Sequence, residues 1–265
     1  MITGISTASL FQRYNTEGAV KQFNINKINA CEVFLESFCE YNKKFGKVIA
    51  KNKGDVQIHS FHTLTTQFEP QLYSVNERAQ KDSFVFLENT LKCAEKMGAK
   101  YYTFHGGARF KKTPITIDFE RVSKITQQII DMCDNHGIQL AYENVHWCYY
   151  NYIGFFKTLK GLTKGLKGTL DIKQARQSGI DHNLFIEEMA EDIVTVHLSD
   201  VDENGKMCLP GKGVTDFSDL FKRLNDVGFN GALLLEVYKN DFNKTCELYE
   251  SLDFINELAY KTFNK

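Results

Sequence analysis

The sequence predicts a (β/α)8 barrel, because strand-like and helix-like segments alternate along all 265 residues. Short apolar runs recur about every 30 residues, the length of one strand–helix unit, and amphipathic stretches separate them. The runs are apolar on consecutive residues, as expected for parallel strands that are covered on both faces. A doubly wound open sheet is the runner-up. It normally has a glycine-rich turn after its first strand, where this chain has Ser6-Thr7-Ala8-Ser9.

Eight strands are predicted along the chain, at residues 2–6, 30–35, 56–61, 101–105, 139–143, 168–171, 193–198 and 232–237. Apolar residues at intervals of three and four predict the third, fourth and eighth helices, over 84–94, 122–129 and 248–259. Gly98 and Gly137 follow the third and fourth helices, where a left-handed helix end favours glycine. Because no linker interrupts the alternation, we expect one domain that spans residues 1–265.

Composition restricts the classes of function. The net charge is −1, from 32 basic and 33 acidic residues, which argues against a nucleic-acid partner. Seven cysteines without a CxxC pair predict a reducing, cytoplasmic setting. The N-terminal residues lack the pattern of a signal peptide, and no apolar run reaches membrane-spanning length, so we expect neither secretion nor a membrane.

Four consecutive predicted strands end on side chains that can bind a metal. Strands five to eight end at Glu143, Asp171, His197 and Glu236. Because the carboxyl ends of barrel strands meet on one face, we expect these side chains to converge. Three carboxylates and one imidazole suit a divalent ion such as Mn²⁺, Zn²⁺, Co²⁺ or Mg²⁺. The ion would also relieve the repulsion among three buried carboxylates.

Histidines end the third and fourth predicted strands, at His59 and His105. They are expected to approach the same pocket from the side of Glu143. There they would either complete a second metal site bridged by Glu143 or bind substrate oxygens. A hydrogen-bonded core histidine is the alternative for each. His62 is expected in the loop that follows strand three.

Smaller signals mark further candidates for substrate contact. Lys212 lies in a Gly-Lys-Gly loop after strand seven, where such barrels often bind phosphate, although a solvated lysine is the alternative. Glu32 in strand two would reach the barrel mouth if its side chain faces inward. Trp147 follows Glu143 and would either cover a sugar face or cap the barrel. Asp200 would contact substrate or shape its loop.

Several segments together resemble the xylose isomerase-like TIM-barrel superfamily, over nearly the whole chain. They are Ile58-His59-Ser60, Phe104-His105-Gly106-Gly107, Tyr142-Glu143-Asn144, Leu170-Asp171-Ile172, His197-Leu198-Ser199-Asp200, Pro210-Gly211-Lys212-Gly213 and Leu235-Glu236-Val237. That superfamily contains sugar and sugar-phosphate isomerases and epimerases, inosose dehydratase-type enzymes and zinc-dependent apurinic endonucleases. The motifs identify the superfamily and choose poorly among its members.

The resemblance implies that Glu143, Asp171, His197 and Glu236 hold one divalent metal and that Glu143 and Glu236 act as the paired acid and base. The implied activity is metal-dependent isomerisation or epimerisation of a small sugar, polyol or sugar phosphate through an enediolate. An inosose-type dehydratase shares the first step and is the alternative. A third possibility is a barrel that binds a sugar or a metal without turnover.

The chain departs from two branches of the superfamily. Ketose 3-epimerases carry a histidine where this chain has Gln174 and an arginine where it has Glu203, although Gln174 can still bond a hydroxyl. The endonucleases need a third zinc site, with histidines where this chain has Gln174 and Cys208. Their first two sites correspond to His59, His105, Glu143, Asp171, His197 and Glu236. These departures move the prediction from DNA repair towards a small carbohydrate substrate.

Overall fold

Eight parallel strands close into a barrel in a computed structural model that describes residues 1–64, 67–109 and 116–263. The strands are β1 (Ile2–Ser6), β2 (Ala30–Leu35), β3 (Gln57–Thr63), β4 (Tyr101–Phe104), β5 (Gln139–Glu143), β6 (Lys167–Asp171), β7 (Ile193–Leu198) and β10 (Ala232–Leu235). β10 pairs with both β7 and β1, which closes the barrel. A short antiparallel hairpin, β8 (Asp200–Val201) and β9 (Met207–Cys208), lies between β7 and β10. The predicted TIM-barrel fold is therefore confirmed.

Helices separate the barrel strands. They are α1 (Thr16–Ile25), α2 (Lys43–Asn52), α3 (Glu69–Leu72), α4 (Glu77–Met97), α5 (Phe119–Asp134), α6 (Phe155–Leu162), α7 (Ile172–Gln177), α8 (His182–Met189), α9 (Phe217–Asp226) and α10 (Thr245–Phe263). Within the described ranges, none of them is long and apolar enough to cross a lipid bilayer.

Helix α4 shows how local sequence produces these elements. Asn76 caps its start, because the side chain accepts hydrogen bonds from the Arg78 and Ala79 backbone N–H groups. Gly98 ends it in the left-handed conformation, with φ of 82°. On the predicted apolar face Leu87, Leu91 and Ala94 are buried and Phe84 is partly buried, and Leu91 is fully enclosed by the core. Truncation of such a leucine to alanine costs about 2–5 kcal/mol of stability.

A bulge between β2 and β3 determines which side chains reach the barrel interior. Cys31 pairs with Ile58, whereas Glu32 pairs with Ser60, so His59 is an extra residue in the ladder. A bulge re-aims the side chains beside it. β3 also runs to Thr63, which makes His62 a buried strand residue. The expectation that His62 lies in a loop is therefore wrong.

Candidate active site

Three of the predicted strand ends, His105, Glu143 and Glu236, reach a cavity of about 220 Å³ at the carboxyl end of the barrel. Two histidines and two glutamates line it, His62, His105, Glu143 and Glu236. Much of the remaining lining is apolar or aromatic and includes Phe11, Phe34, Leu64, Val145, Trp147 and Tyr238. A mostly apolar pocket with a few converging polar groups is the usual form of a small-molecule site. A larger, more open groove beside Arg121 contains none of the predicted site residues.

Glu143, Asp171 and His197 form a buried cluster whose donor atoms lie within 4.8 Å of one another. His197 Nδ1 lies 3.0 Å from Glu143 Oε1 and 3.8 Å from Asp171 Oδ2. Glu236 joins them, with its Oε2 atom 3.5 Å from the same nitrogen. The structure therefore brings together the four side chains that end strands five to eight of the sequence prediction.

Backbone hydrogen bonds fix the position of Asp171. Its Oδ1 atom accepts a hydrogen bond from the Gln174 backbone N–H at 2.9 Å, which caps helix α7. The Asn144 side chain bonds both the backbone N–H and the backbone carbonyl of Asp171, at 2.8 and 2.9 Å, and so ties β5 to β6. Asp171 Oδ2 has no hydrogen-bond partner in the described part of the chain. One oxygen is thus anchored while the other is left for a ligand.

Glu32 lies inside the barrel and not on the cavity wall, so the structure does not support its predicted contact with substrate. It is fully buried, and its Oε2 atom accepts hydrogen bonds from Ser60 at 2.7 Å and Thr103 at 2.6 Å. Its Oε1 atom lies 3.0 Å from His197 Nε2. Burial opposes a charge on Glu32, but His197, His62 and the hydrogen bond from Thr103 lower its pKa. Glu32 is therefore an ionised carboxylate behind His197.

A second carboxylate, Glu69, supports Glu143 through His105. His105 Nε2 lies 2.8 Å from Glu143 Oε2, and His105 Nδ1 lies 3.4 Å from Glu69 Oε2. Glu69 also accepts hydrogen bonds from the His105 backbone N–H and the Tyr102 hydroxyl. Sequence reasoning missed Glu69, because α3 has only four residues and shows no periodic pattern.

Lys173 is a buried cation at the site that sequence reasoning also missed. Its Nζ atom lies 3.7 Å from Asp171 Oδ2 and 3.8 Å from Glu236 Oε1. The same atom lies 4.2 Å from the centre of the Tyr238 ring. Burial opposes its charge, but Asp171 and Glu236 raise the pKa of Lys173, so the ammonium form persists. No pattern in the sequence separates this lysine from an exposed one.

The charge balance of the site fits a divalent cation. Five carboxylates are buried here, Glu32, Glu69, Glu143, Asp171 and Glu236. Burial disfavours an imidazolium, yet Glu236 and Glu32 hold the pKa of His197 well above its usual value. For the carboxyl group of Asp171, burial disfavours the charged form and raises the pKa to about 6. Excess negative charge, an imidazole that can exchange its proton for a metal, and unpartnered carboxylate oxygens on Asp171 and Glu236 are the properties of a metal-binding donor set.

His59 and Lys212 are not brought to the cluster. The His59 Nε2 atom lies 3.0 Å from Thr195 Oγ1 and 3.1 Å from the Val194 carbonyl oxygen. Burial lowers the pKa of His59 to about 4, so it is a neutral core histidine bonded across the barrel. Lys212 is exposed in its loop and does not line the cavity.

Of the remaining residues singled out in the sequence, two line the cavity and two lie in the hairpin after β7. Trp147 and Gln174 line the cavity, although Gln174 Oε1 already accepts a hydrogen bond from the His146 backbone N–H at 3.2 Å. Asp200 accepts backbone hydrogen bonds from Gly211, Gly213 and Thr215, so it shapes the loop after β7. Cys208 pairs with Asp200 in the hairpin.

Comparisons with a family model and with solved structures agree with the TIM-barrel fold. Residues 26–258 match the family model described as xylose isomerase-like TIM barrel. No curated protein sequence matches the chain significantly. Among solved structures, a D-tagatose 3-epimerase-like protein is 16% identical with a TM-score of 0.79, and the match covers 100% of this chain and 98% of that one. The IolI protein with a bound zinc atom is 14% identical with a TM-score of 0.79, and the match covers 100% of both chains. A D-psicose 3-epimerase studied with D-fructose is 15% identical with a TM-score of 0.77, again over 100% of both chains.

The family match spans most of the chain, and the site lies where barrels of this type carry their active sites. The chain therefore belongs to the xylose isomerase-like TIM-barrel family.

Proposed function

We propose that this protein is a divalent-metal-dependent isomerase or epimerase of a small sugar, polyol or sugar phosphate. The observation that carries the proposal is the convergence of Glu143, Asp171, Glu236 and His197 on one buried point beside a cavity. The folds of sugar epimerases are similar to this one, and one similar protein holds zinc. Both similarities are compatible with a carbohydrate substrate and a bound metal.

The four converging residues would hold the ion, and its charge would polarise adjacent carbonyl and hydroxyl oxygens of a sugar and so acidify the C–H bond next to the carbonyl. Glu143 and Glu236 both line the cavity, so each can face a bound sugar. One carboxylate removes the proton to give an enediolate, and a proton is returned from the same or the other carboxylate. His105, at 2.8 Å from Glu143 Oε2, favours the ionised form of Glu143 that a base requires.

The cavity walls suit a compact molecule with apolar faces and polar edges. Phe11 and Phe34 meet edge to face on one side, with ring centres 5.5 Å apart, and Trp147 also lines the cavity. Aromatic rings cover the C–H faces of a sugar, while its hydroxyl groups reach the carboxylates and Gln174. This arrangement supports a monosaccharide or an inositol-like ring as the substrate class.

The test is a panel of ketoses, inososes and sugar phosphates assayed in D₂O with Mn²⁺, Co²⁺ or Zn²⁺. We expect metal-dependent turnover with deuterium at the exchanged carbon. Glu236→Gln and Glu143→Gln should each reduce the rate by about 10²–10⁴-fold, because each removes a group that transfers a proton. Glu257→Gln, on the exposed face of α10, is the matched control and should leave the rate unchanged.

Other results would redirect or refute the proposal. Loss of water from an inosose would identify the dehydratase alternative, and cleavage of an abasic duplex would identify a nuclease. Full metal loading without turnover or deuterium exchange across the panel would contradict the proposed isomerase.

A further inference from the structure

The imidazole of His62 is buried at the cavity without any hydrogen-bond partner in the described residues. Only 6% of the residue is exposed, and both ring nitrogens lack a partner. Its ring stacks on Phe34, with ring centres 4.6 Å apart and planes inclined by 17°. A buried polar group without a partner is destabilising, so such a group in a native protein points to a ligand that completes it.

Two carboxylates lie nearest the His62 Nε2 atom, and the rings of His105 and His197 lie farther away, with centres 5.7 and 6.5 Å from that of His62. Its Nε2 atom lies 3.6 Å from Glu32 Oε1 and 3.9 Å from Glu236 Oε2. These separations are too long for hydrogen bonds. They match two donors bound to one ion, because donors about 2.1 Å from a metal lie about 3–4 Å from each other. The three donor atoms of Glu32, His62 and Glu236 also lie within 4.8 Å of one another.

We propose that Glu32, His62 and Glu236 bind a second divalent cation, and that Glu236 bridges it to the ion held by Glu143, Asp171 and His197. The inference rests on the proposed function for that first ion. The ligands proposed here for the second ion differ from those predicted from the sequence, which were His59 and His105 with Glu143 as the bridge. His59 is bonded across the barrel, and His105 lies between Glu143 and Glu69.

One oxygen of Glu236, Oε2, faces the donors of both proposed ions, which supports a bridging role for that oxygen. Oε1 lies 3.8 Å from the Lys173 ammonium. Oε2 lies between two imidazoles, 3.5 Å from His197 Nδ1 and 3.9 Å from His62 Nε2, and has no hydrogen-bond partner within the ranges described. A carboxylate between two ions about 3.5–4 Å apart is the usual core of a two-metal site.

His62 and Glu236 line the cavity, whereas Glu32 lies behind them. The second ion would therefore be exposed to substrate on one side and supported by protein on the other. It would give the substrate a second point of attachment for an oxygen.

The experiment is equilibrium titration of chelator-treated protein with Mn²⁺ alone, read by elemental analysis and by electron paramagnetic resonance. We expect wild-type protein to bind two ions per chain and to show the exchange-coupled spectrum of a bridged pair. His62→Gln should bind one ion and lose the coupled spectrum. His59→Gln is the matched control, because it alters a buried histidine of the same strand outside the site, and it should keep both ions.

The wild-type measurement decides the question even if a variant fails to fold. One uncoupled ion per saturated wild-type chain would overturn the second site and leave the proposed function intact. No bound ion would remove both. A coupled pair that survives in His62→Gln would show that the second ion has other ligands, which also overturns the inference.

Discussion

Glu32 Oε1 lies 3.0 Å from His197 Nε2, while the other nitrogen of the same imidazole lies 3.0 Å from Glu143 Oε1. The contact with Glu32 is an ion pair, because His197 Nε2 makes no hydrogen bond within the described residues. A carboxylate behind a metal-binding histidine orients its ring. Ser60 and Thr103 hold Glu32 in turn, so residues of β2, β3 and β4 position the carboxylate behind the His197 ring.

Replacement of Glu32 by glutamine should therefore weaken binding of the first metal ion by about 10–100-fold. The amide lacks the charge that holds the His197 ring, although its size is nearly the same. Competition with a chromogenic chelator in a His62→Gln background, which lacks a ligand of the proposed second ion, measures the dissociation constant of the first site. Ser251→Ala, which removes a buried hydroxyl bonded to Pro210, is a control that should not change it. An unaltered constant in Glu32→Gln would contradict the orienting role.

Lys173→Met should have opposite effects on stability and on metal affinity. In metal-free protein, loss of the ammonium leaves Asp171 and Glu236 without their buried partner, at a cost of about 3 kcal/mol. With metal bound, the ion supplies that charge, so the loss should be smaller and the metal should bind more tightly. Urea unfolding with and without Mn²⁺ measures both effects. Lys261→Met, at an exposed position of α10, is the control and should change neither property. If Lys173→Met loses the same stability with and without Mn²⁺, the proposed compensation by the metal is refuted.

Metal affinity should rise with pH through neutrality. Because the pKa of His197 is raised well above 6.5, the ring stays protonated in metal-free protein at pH 7 and cannot bind a metal through Nδ1. Metal binding must displace that proton, so a higher pH favours the complex. Calorimetric titration in buffers of different ionisation enthalpy counts the released protons at each pH. No proton release at pH 7, with affinity independent of pH between 6 and 8, would contradict this prediction.

The sequence predicted the fold and the ends of β5 to β7 well, because strand order and the βα period determine which residues meet at the mouth of a barrel. It did not predict the roles of His59 and His62. The ladder shift between Cys31 and Glu32 sets their directions, and such a bulge leaves no mark in the apolar pattern. Lys173 and Glu69 were missed for a related reason, since both lie in short helices whose orientation depends on tertiary packing.

Trp147 is the single tryptophan of the chain, and it lines the cavity. Fluorescence excited selectively in tryptophan therefore originates at the candidate site and nowhere else in this protein. Indole emission responds to changes in local polarity and to quenching by paramagnetic ions within reach of the ring. Binding of a sugar or of Mn²⁺ can thus be followed in unlabelled wild-type protein, which makes ligand screening practical without an enzymatic assay.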